Sequence, residues 1–389
     1  MDSSRKNNTK ALVCLTLAVA DRNGASKMFY HFARALVNEG YKVKVFYGRA
    51  AAEGSYLDEL NLLGVGSKSL AILKYPVPPL SHFLLARECA GALAIIGFHQ
   101  RDRAASISAA RLLNIAGFGV IGNSHYFWGL LARLKEFYYK RCLNLLGKGR
   151  LICTSSKVQS ELVDRFGIDS GETVVLENGI ELMPLINRSR KPENAPLKFI
   201  TVGRLDYQKG LDILLNAWAD STAASDGHIL QIVGGETPGN LNAKSKSYSE
   251  ELNRIVFDAG LTECVEFLGF RDDITDLLID ADVYIHTARW EGFPLAVLEG
   301  MAASLPVIMT DVEANPIGFV NGVSGFVVES ESTLEVARAI DQMISNGVDF
   351  RMRAGQHCRA IVEEKYDIEV IQRRFVRIIE QSLEQKMPR

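Results

Sequence analysis

Short apolar segments alternate with amphipathic ones along nearly the whole chain, and this alternation constrains the fold more than any other feature of the sequence. In the first half, strands are predicted at Leu12–Val19, Lys42–Tyr47, Leu93–Phe98, Phe118–Gly122, Leu151–Thr154 and Thr173–Leu176. The 3.6-residue periodicity between them predicts helices at Lys27–Asn38, Arg103–Asn114, Gly129–Leu146 and Lys157–Phe166. The strands are apolar throughout, which is typical of a parallel sheet covered by helices on both faces. The first half is therefore predicted to be a doubly wound α/β domain.

A polar, proline-bearing stretch at 181–197 interrupts the alternation and is the best candidate for a linker. Strands are then predicted at Lys198–Val202, Ile229–Val233, Val265–Leu268, Val283–His286 and Pro306–Met309, and closing helices at Leu334–Ser345 and Asp367–Gln385. We therefore predict two domains, 1–186 and 187–366, followed by a closing segment, 367–389. Two parallel α/β domains leave a cleft where strand ends and helix N-termini converge on a ligand.

Composition excludes several classes of protein. The 389 residues carry 44 Lys and Arg against 46 Asp and Glu, a balance that excludes a strongly basic nucleic-acid binder. Six scattered cysteines suit reduced thiols in a cytoplasmic protein. The start of the sequence resembles a short signal peptide, because the apolar run Ala11–Val19 follows three cations, Arg5, Lys6 and Lys10. We favour a first buried strand instead, because removing it would leave the helix Lys27–Asn38 without its partner.

Two glutamates follow the predicted strand Val283–His286 and suggest a ligand site. Pro294 is well placed as the first residue of a helix, so Glu291 would lie in the loop at the positive helix end. Glu299 would lie about five residues further on, roughly 7.5 Å along the helix axis. The two carboxylates could then reach two parts of one extended ligand. The alternative makes Glu291 a partner of the helix dipole and Glu299 a solvated helix residue.

A second candidate segment runs from Gly203 to Gly210, directly after a predicted strand. Arg204 and Lys209 flank this loop, and both could reach one diphosphate, Arg as a fork and Lys as a point charge. The alternative is a pair of ordinary solvated cations. Gly234 follows another strand, where the lack of a side chain lets the backbone approach a ligand closely.

In this order the motifs resemble the retaining nucleotide-sugar glycosyltransferases of family 4. The motifs that carry the resemblance are Gly203-Arg204…Lys209-Gly210, Glu291-x7-Glu299, Val265–Gly269 and Ala281–His286. The resemblance covers essentially the whole chain and is closest over 199–330. It implies a GT-B fold: two doubly wound Rossmann-like domains facing across a cleft, with the last helix crossing back to the first domain. The first domain would bind the acceptor and the second the nucleotide-sugar donor.

The resemblance also implies roles for single residues. Arg204 and Lys209 would contact the donor diphosphate and neutralise the charge that grows as the sugar–phosphate bond breaks. Glu299 would bind the ribose hydroxyls and Glu291 those of the donor sugar, and His125 would be a catalytic histidine near that sugar. Further donor-binding positions are Gly24, Gly203, Gly234, Phe293 and Leu295.

The resemblance implies a hexosyltransferase that retains anomeric configuration and needs no metal or cofactor, with a UDP-sugar favoured over a GDP-sugar as donor. Asp273 is a candidate metal ligand by residue type but fits a helix N-terminus better. The acceptor would be a saccharide or lipid-linked saccharide of cell-surface polysaccharide, such as lipopolysaccharide. Three alternatives stay open: a GT-B UDP-sugar epimerase, a glycoside hydrolase using Glu291 and Glu299, and a catalytically silent scaffold that binds sugar nucleotides.

The segment 128–150 is basic and carries one acid, Glu136. Its cations are Arg133, Lys135, Lys140, Arg141, Lys148 and Arg150, and its apolar stripe consists of Leu131, Leu134, Tyr138, Cys142 and Leu145. The favoured interpretation is a helix whose stripe packs on the sheet and whose cations are solvated. The alternative is a face that rests on anionic lipid, placing a cytoplasmic protein peripherally on the inner membrane.

Overall fold

The computed structural model describes residues 10–51, 54–73, 79–123, 132–146, 149–184, 192, 195–236 and 243–385. The chain divides into two compact units. The first unit comprises Met1–Gly179 and Ile368–Arg389, and the second comprises Ile180–Asp367. Each unit is built on one parallel sheet, so the prediction of two doubly wound α/β domains is confirmed.

The first unit has seven parallel strands in the order β3-β2-β1-β4-β5-β6-β7. The strands are β1 Lys10–Ala20, β2 Tyr41–Ala50, β3 Gly66–Ser69, β4 Ala94–Gly97, β5 Ala116–Ile121, β6 Leu151–Cys153 and β7 Thr173–Val175. The helices are α1 Gly24–Asn38, α2 Leu57–Leu62, α3 Leu80–Glu88, α4 Gln100–Leu112, α5 Ala132–Leu143 and α6 Ser156–Phe166.

The second unit has six parallel strands in the order β10-β9-β8-β11-β12-β13. The strands are β8 Lys198–Val202, β9 Ile229–Val233, β10 Val265–Gly269, β11 Val283–His286, β12 Val307–Thr310 and β13 Gly325–Val328. The helices are α7 Leu211–Asp220, α8 Ala243–Asp258, α9 Ile274–Asp280, α10 Leu295–Ala302, α11 Thr333–Ser345 and α12 Gly347–Lys365.

The first apolar run of the chain is a central strand, as predicted. β1 pairs with β2 on one side and β4 on the other, and Val13, Cys14 and Leu15 are fully buried. A strand with neighbours on both edges and helices on both faces needs an unbroken apolar sequence, which explains its likeness to a signal peptide.

The last helix, α13 Ile368–Glu384, belongs to the first unit, as the family resemblance implies. The ring of Phe375 stacks on that of Phe32 in α1, with centroids 4.0 Å apart. The Gln372 side chain donates a hydrogen bond of 2.8 Å to the carbonyl of His31. Burial of this face of α13 against α1 therefore decides which unit the helix joins.

Three local features can be compared with the predictions. Pro294 was expected as the first helical residue, but its ψ of 89° is not helical and α10 begins one residue later, at Leu295. Asp273 lies at the N-cap of α9, which confirms its predicted place at a helix N-terminus; its carboxylate makes no capping hydrogen bond and instead accepts hydrogen bonds from Arg271 at 2.5 and 2.7 Å. The edge strands β3 and β13 and the helix α12 were not predicted individually. β3 is short and polar (Gly-Ser-Lys-Ser), so it lacks the apolar signal of a buried strand.

The predicted apolar stripe of α5 is also partly wrong. Tyr139, Cys142 and Leu143 are buried on α5, as is Leu146 just beyond it, whereas Leu134 and Leu145 are exposed. Leu131 lies outside the described residues. The stripe was placed too far round the helix, because the aromatic pair Tyr138-Tyr139 allowed either register. No helix in the described parts of the chain is long and apolar enough to cross a bilayer.

Candidate functional site

The predicted site residues of the second unit converge at the point where its strand order reverses. Strands β8, β9 and β10 follow one another in one direction, and β11 starts the other side directly next to β8. Ligands of open parallel sheets bind at such switch points, beyond the carboxyl ends of the strands. Arg204 and Lys209 lie in the loop that follows β8, and Glu291 lies in the loop that follows β11.

An ion pair joins these two loops. Lys209 Nζ lies 2.5 Å from Glu291 Oε1, and the side chains are only 17% and 8% exposed. The backbone is shaped for this approach, because Gly210 has a φ of +61° and a Cβ there would lie 2.1 Å from the carbonyl oxygen of Thr287. A glycine is therefore required at position 210 for the two loops to meet.

The charge of Glu291 is maintained in a buried position. Burial by itself raises the pKa of this carboxyl, but the charge of Lys209 and the contact with His286 more than offset it and lower the pKa to about 2. His286 Nε2 lies 3.3 Å from the same Oε1. Burial lowers the pKa of His286, so its imidazole is neutral at pH 7. Glu291 is therefore an anion held between a lysine and a neutral histidine.

Gln208 connects both loops through its side chain. Its Nε2 donates a 2.8 Å hydrogen bond to the carbonyl of Trp290, and its Oε1 accepts one of 3.3 Å from Arg204. Arg204 also donates to Asp206 at 2.8 Å, and its side chain is 46% exposed. The Arg204 guanidinium is thus oriented by two neighbours while remaining open to a ligand.

Arg289 is a second connection that sequence reasoning missed. Its guanidinium binds Asp212 bidentately, at 2.9 and 2.7 Å, and donates to the carbonyl of Tyr207 at 2.8 Å. It also lies 3.7 Å from the centroid of the Tyr207 ring and pairs with Glu331 at 2.9 Å. These contacts hold the turn that carries Lys209 against the start of α7. The sequence signal for Arg289 was its position two residues before Glu291, just after the predicted strand Val283–His286.

Gly203 and Gly234 are the glycines at the ends of β8 and β9. Gly234 has a φ of +136°, and a Cβ there would lie 1.8 Å from the carbonyl oxygen of Gly203. A Cβ on Gly203 would lie 3.4 Å from Cε of Lys209. Gly234 is therefore needed where the strand ends come together, whereas a Cβ at position 203 would meet the Lys209 side chain only at an ordinary contact distance.

The start of α10 brings the remaining predicted residues of the second unit to the same edge of the sheet. Phe293 is buried, with its ring 5.5 Å from that of Tyr366, whereas Leu295 and Glu299 are half-buried. Burial and the charge of Glu299 raise the pKa of Tyr284 in β11, which places this carboxylate beside the strand. Glu299 is thus not the fully solvated residue of the alternative interpretation.

In the first unit, Gly24 is the exposed first residue of α1. The preceding Asn23 caps this helix, because its Oδ1 accepts a 3.0 Å hydrogen bond from the amide of Ser26. His125 lies outside the described residues. Among the residues that are described, no group of three or more His, Cys, Asp or Glu side chains is placed to hold a metal ion.

Comparison with known families assigns each half of the chain to a glycosyltransferase model. Residues 22–183 match the model described as Glycosyltransferase Family 4, and residues 185–361 match the one described as Glycosyl transferases group 1. Together the two matches extend over most of the sequence.

Two curated relatives match part of the chain. The UDP-Gal:alpha-D-GlcNAc-diphosphoundecaprenol alpha-1,3-galactosyltransferase of Escherichia coli is 27% identical over 212 residues, 51% of each chain. The amylovoran biosynthesis glycosyltransferase AmsK of Erwinia amylovora is 24% identical over 253 residues, 63% of this chain and 60% of its own. The matches thus span about half to three fifths of these relatives' lengths.

Solved structures share the fold over the full length. The crystal structure of Anabaena HepE in complex with UDP superposes with a TM-score of 0.78 at 18% sequence identity, covering 96% of this chain and 100% of that one. At this level of identity the likeness shows the fold, two parallel-sheet units in one chain.

Proposed function

Because the chain belongs to the glycosyltransferases of family 4, which have the GT-B fold, we propose that it transfers a hexose from a UDP-hexose to a saccharide or lipid-linked saccharide, with retention of anomeric configuration and without a metal ion. The observation that carries this proposal is the convergence of Arg204, Lys209 and Glu291 at the switch point of the second unit. Two cations and an oriented carboxylate suit a ligand with a diphosphate at one end and sugar hydroxyls at the other.

Arg204 and Lys209 are proposed to bind the donor diphosphate. Lys209 has three N–H donors, so one can stay on Glu291 while another reaches a phosphate oxygen. The half-exposed Arg204 guanidinium supplies a fork for a second phosphate oxygen. Both charges would stabilise the UDP that develops as the bond to the sugar breaks, the role that a metal ion has in other transferases.

The two glutamates would divide the rest of the donor between them. An anionic Glu291 accepts hydrogen bonds only, as sugar hydroxyls require. Glu299, one helix turn or more into α10, would accept from the ribose hydroxyls. Backbone amides near Phe293 and Leu295 would face the phosphates, and Gly203 and Gly234 let the strand ends approach them. His125 and Gly24 remain predicted contacts near the donor sugar and phosphate.

In the proposed reaction the acceptor hydroxyl attacks the anomeric carbon from the face that UDP leaves. The bond from that carbon to the phosphate oxygen breaks, a bond to the acceptor oxygen forms, and the acceptor proton passes to the departing phosphate. The sugar keeps its configuration, and the products are the glycosylated acceptor and UDP. No oxidant, reductant or cofactor enters the balance.

The names of the relatives support the donor and acceptor classes. One relative is named for UDP-galactose and a diphosphoundecaprenol-linked acceptor, and another for the biosynthesis of amylovoran. HepE was crystallised with UDP. We therefore propose cell-surface polysaccharide biosynthesis as the pathway class, with UDP preferred over GDP, and a cytoplasmic location where a lipid-linked acceptor is met at the membrane surface.

The decisive experiment is a thermal-shift panel with UDP, GDP, ADP and dTDP, each in the presence of EDTA. UDP at a hundred times its dissociation constant should stabilise the protein by about 2.7 kcal/mol. Arg204→Ala and Lys209→Ala should remove this shift and abolish transfer, and Glu299→Ala should weaken UDP binding. Arg338→Ala, an exposed arginine on α11, is the matched control and should change neither.

Several results would contradict the proposal, each in a different way. A shift that needs a divalent ion, or a larger shift with GDP, would refute the metal independence or the donor base. The absence of any shift would refute nucleotide-sugar transfer and favour the glycoside hydrolase. A UDP shift without transfer would favour the silent scaffold. UDP-sugar turnover without acceptor, yielding an isomerised sugar, would favour the epimerase.

A further inference from the structure

Two helices of the first unit, α3 and α5, expose the same pattern of side chains. On α3 the pattern is Leu80, Phe83 and Arg87, and on α5 it is Leu134, Phe137 and Arg141, in both cases at positions i, i+3 and i+7. Residues at this spacing share one face of a helix. Each helix therefore presents a leucine, a phenylalanine and an arginine in one stripe.

The apolar members of both stripes are well exposed. Leu80 and Phe83 are 54% and 60% exposed, and Leu134 and Phe137 are both 61% exposed. A large exposed apolar side chain needs no explanation by itself, but four of them in two matching stripes form a patch of the kind that marks an interaction surface.

The two stripes lie on neighbouring helices. α3 and α5 both pack against α4. They are also joined directly, because His82 Nε2 and the hydroxyl of Tyr138 are 2.6 Å apart and their rings stack with centroids 6.2 Å apart. His82 directly precedes Phe83 and Tyr138 directly follows Phe137, so the contact ties the two exposed phenylalanines to one surface.

The charge around the stripes is positive. The exposed cations of α5 are Arg133, Lys135, Lys140 and Arg141, and the Arg87 side chain on α3 is 80% exposed. The acids of these helices are already paired: Glu136 accepts from Arg165 at 2.7 Å, and Glu88 from Lys68 at 2.8 Å. Arg87 also lies 3.9 Å from Glu88, so the charge of α3 is balanced, whereas the four exposed cations of α5 face a single acid. The surface thus combines apolar side chains with an excess of positive charge.

We infer that the paired stripes of α3 and α5 bind the surface of an anionic phospholipid bilayer, with Leu80, Phe83, Leu134 and Phe137 entering the headgroup–acyl boundary and the arginines contacting lipid phosphates. An interfacial helix needs an apolar face and flanking cations, and both are present here twice. A protein partner of neutral or basic character would not use the cations. The inference deepens the proposed function, since it brings the enzyme to the place of a lipid-linked acceptor.

The test is sedimentation of the full chain with vesicles of phosphatidylcholine, alone or mixed equally with phosphatidylglycerol. We expect binding to the mixed vesicles only, and a strong decrease at high salt because screening weakens the lipid attraction. Phe83→Ser/Phe137→Ser and Arg87→Gln/Arg141→Gln should each weaken binding roughly tenfold or more. Phe257→Ser, an equally drastic change at a residue that is 76% exposed on α8, is the control and should bind as the wild type does.

Three results would overturn the inference: equal binding to both vesicle types, undiminished binding of both double variants, or a concentration-dependent dimer in sedimentation velocity that the Phe83→Ser/Phe137→Ser variant loses. Donor binding separates this inference from the proposed function, because the UDP thermal shift of the double variants should match the wild type. A protein that binds vesicles as expected but no nucleotide would refute the transfer reaction and leave the membrane surface standing.

Discussion

Replacing Glu291 by glutamine tests whether the ion pair at the switch point is a buried, coupled pair. The carboxyl has a pKa of about 2 in the folded protein against an ordinary value of 4.5. The difference of about 2.5 pH units corresponds to about 3 kcal/mol of folding free energy at pH 7. Because the folded-state pKa is the lower one, this contribution is complete above pH 4.5 and is lost as the pH falls towards 2.

The assay is urea unfolding of the wild type and Glu291→Gln between pH 7 and pH 3.5, followed by tryptophan fluorescence. Two of the three tryptophans, Trp218 and Trp290, lie in the second unit, so the signal reports mainly on it. We expect the difference in unfolding free energy to be about 3 kcal/mol at pH 7 and about 2 kcal/mol at pH 3.5. Glu364→Gln, an exposed position on α12, should change it by less than about 0.5 kcal/mol at either pH.

The destabilisation caused by Glu291→Gln should disappear or change sign when Lys209 is absent. In a Lys209→Met background Glu291 is a buried carboxylate without its cation, so Glu291→Gln should then be neutral or stabilising. A difference between wild type and Glu291→Gln that is independent of pH, or a cost of the same size in both backgrounds, would refute the coupling between Lys209 and Glu291.

Two further substitutions probe the backbone and the support of the site. Gly234→Ala should lower the thermal unfolding midpoint by several degrees, because the new Cβ would lie 1.8 Å from the Gly203 carbonyl oxygen. The control is Gly235→Ala, whose Cβ would have its nearest neighbour at 3.9 Å and should be well tolerated. Equal midpoints for the two variants would contradict this prediction. Arg289→Lys should lower the free energy of urea unfolding by about 1–3 kcal/mol and weaken UDP binding, because a lysine cannot replace the bidentate contact with Asp212. Unchanged UDP affinity would show that Arg289 does not support the Lys209 turn.

The central strands of both sheets could be predicted from the sequence, because burial on both faces requires a continuous run of apolar residues. β8, β9 and β11 have the predicted bounds to the residue. The edge strand β3 could not be predicted, since it has only one partner strand and its polar sequence lacks an apolar run. The register of α5 was misjudged for a related reason: two adjacent tyrosines satisfy either face, and only contact with the sheet selects Tyr139 for the interior.

The candidate site shows the same division. Arg204, Lys209 and Glu291 could be proposed from their place after predicted strands, since parallel strands bring their carboxyl ends to one edge. Gln208 and Arg289 could not be assigned, because each acts through a partner about 80 residues away in the sequence.

By itself, the sequence determined the parallel α/β class, the two sheets and the charged residue types at the ends of β8 and β11, because hydrophobic periodicity and strand ends are local properties. Only the tertiary structure decided that Lys209 and Glu291 form a buried pair and that α3 and α5 expose matching stripes. These features depend on which distant surfaces exclude water from one another, and that is settled by packing across the whole unit.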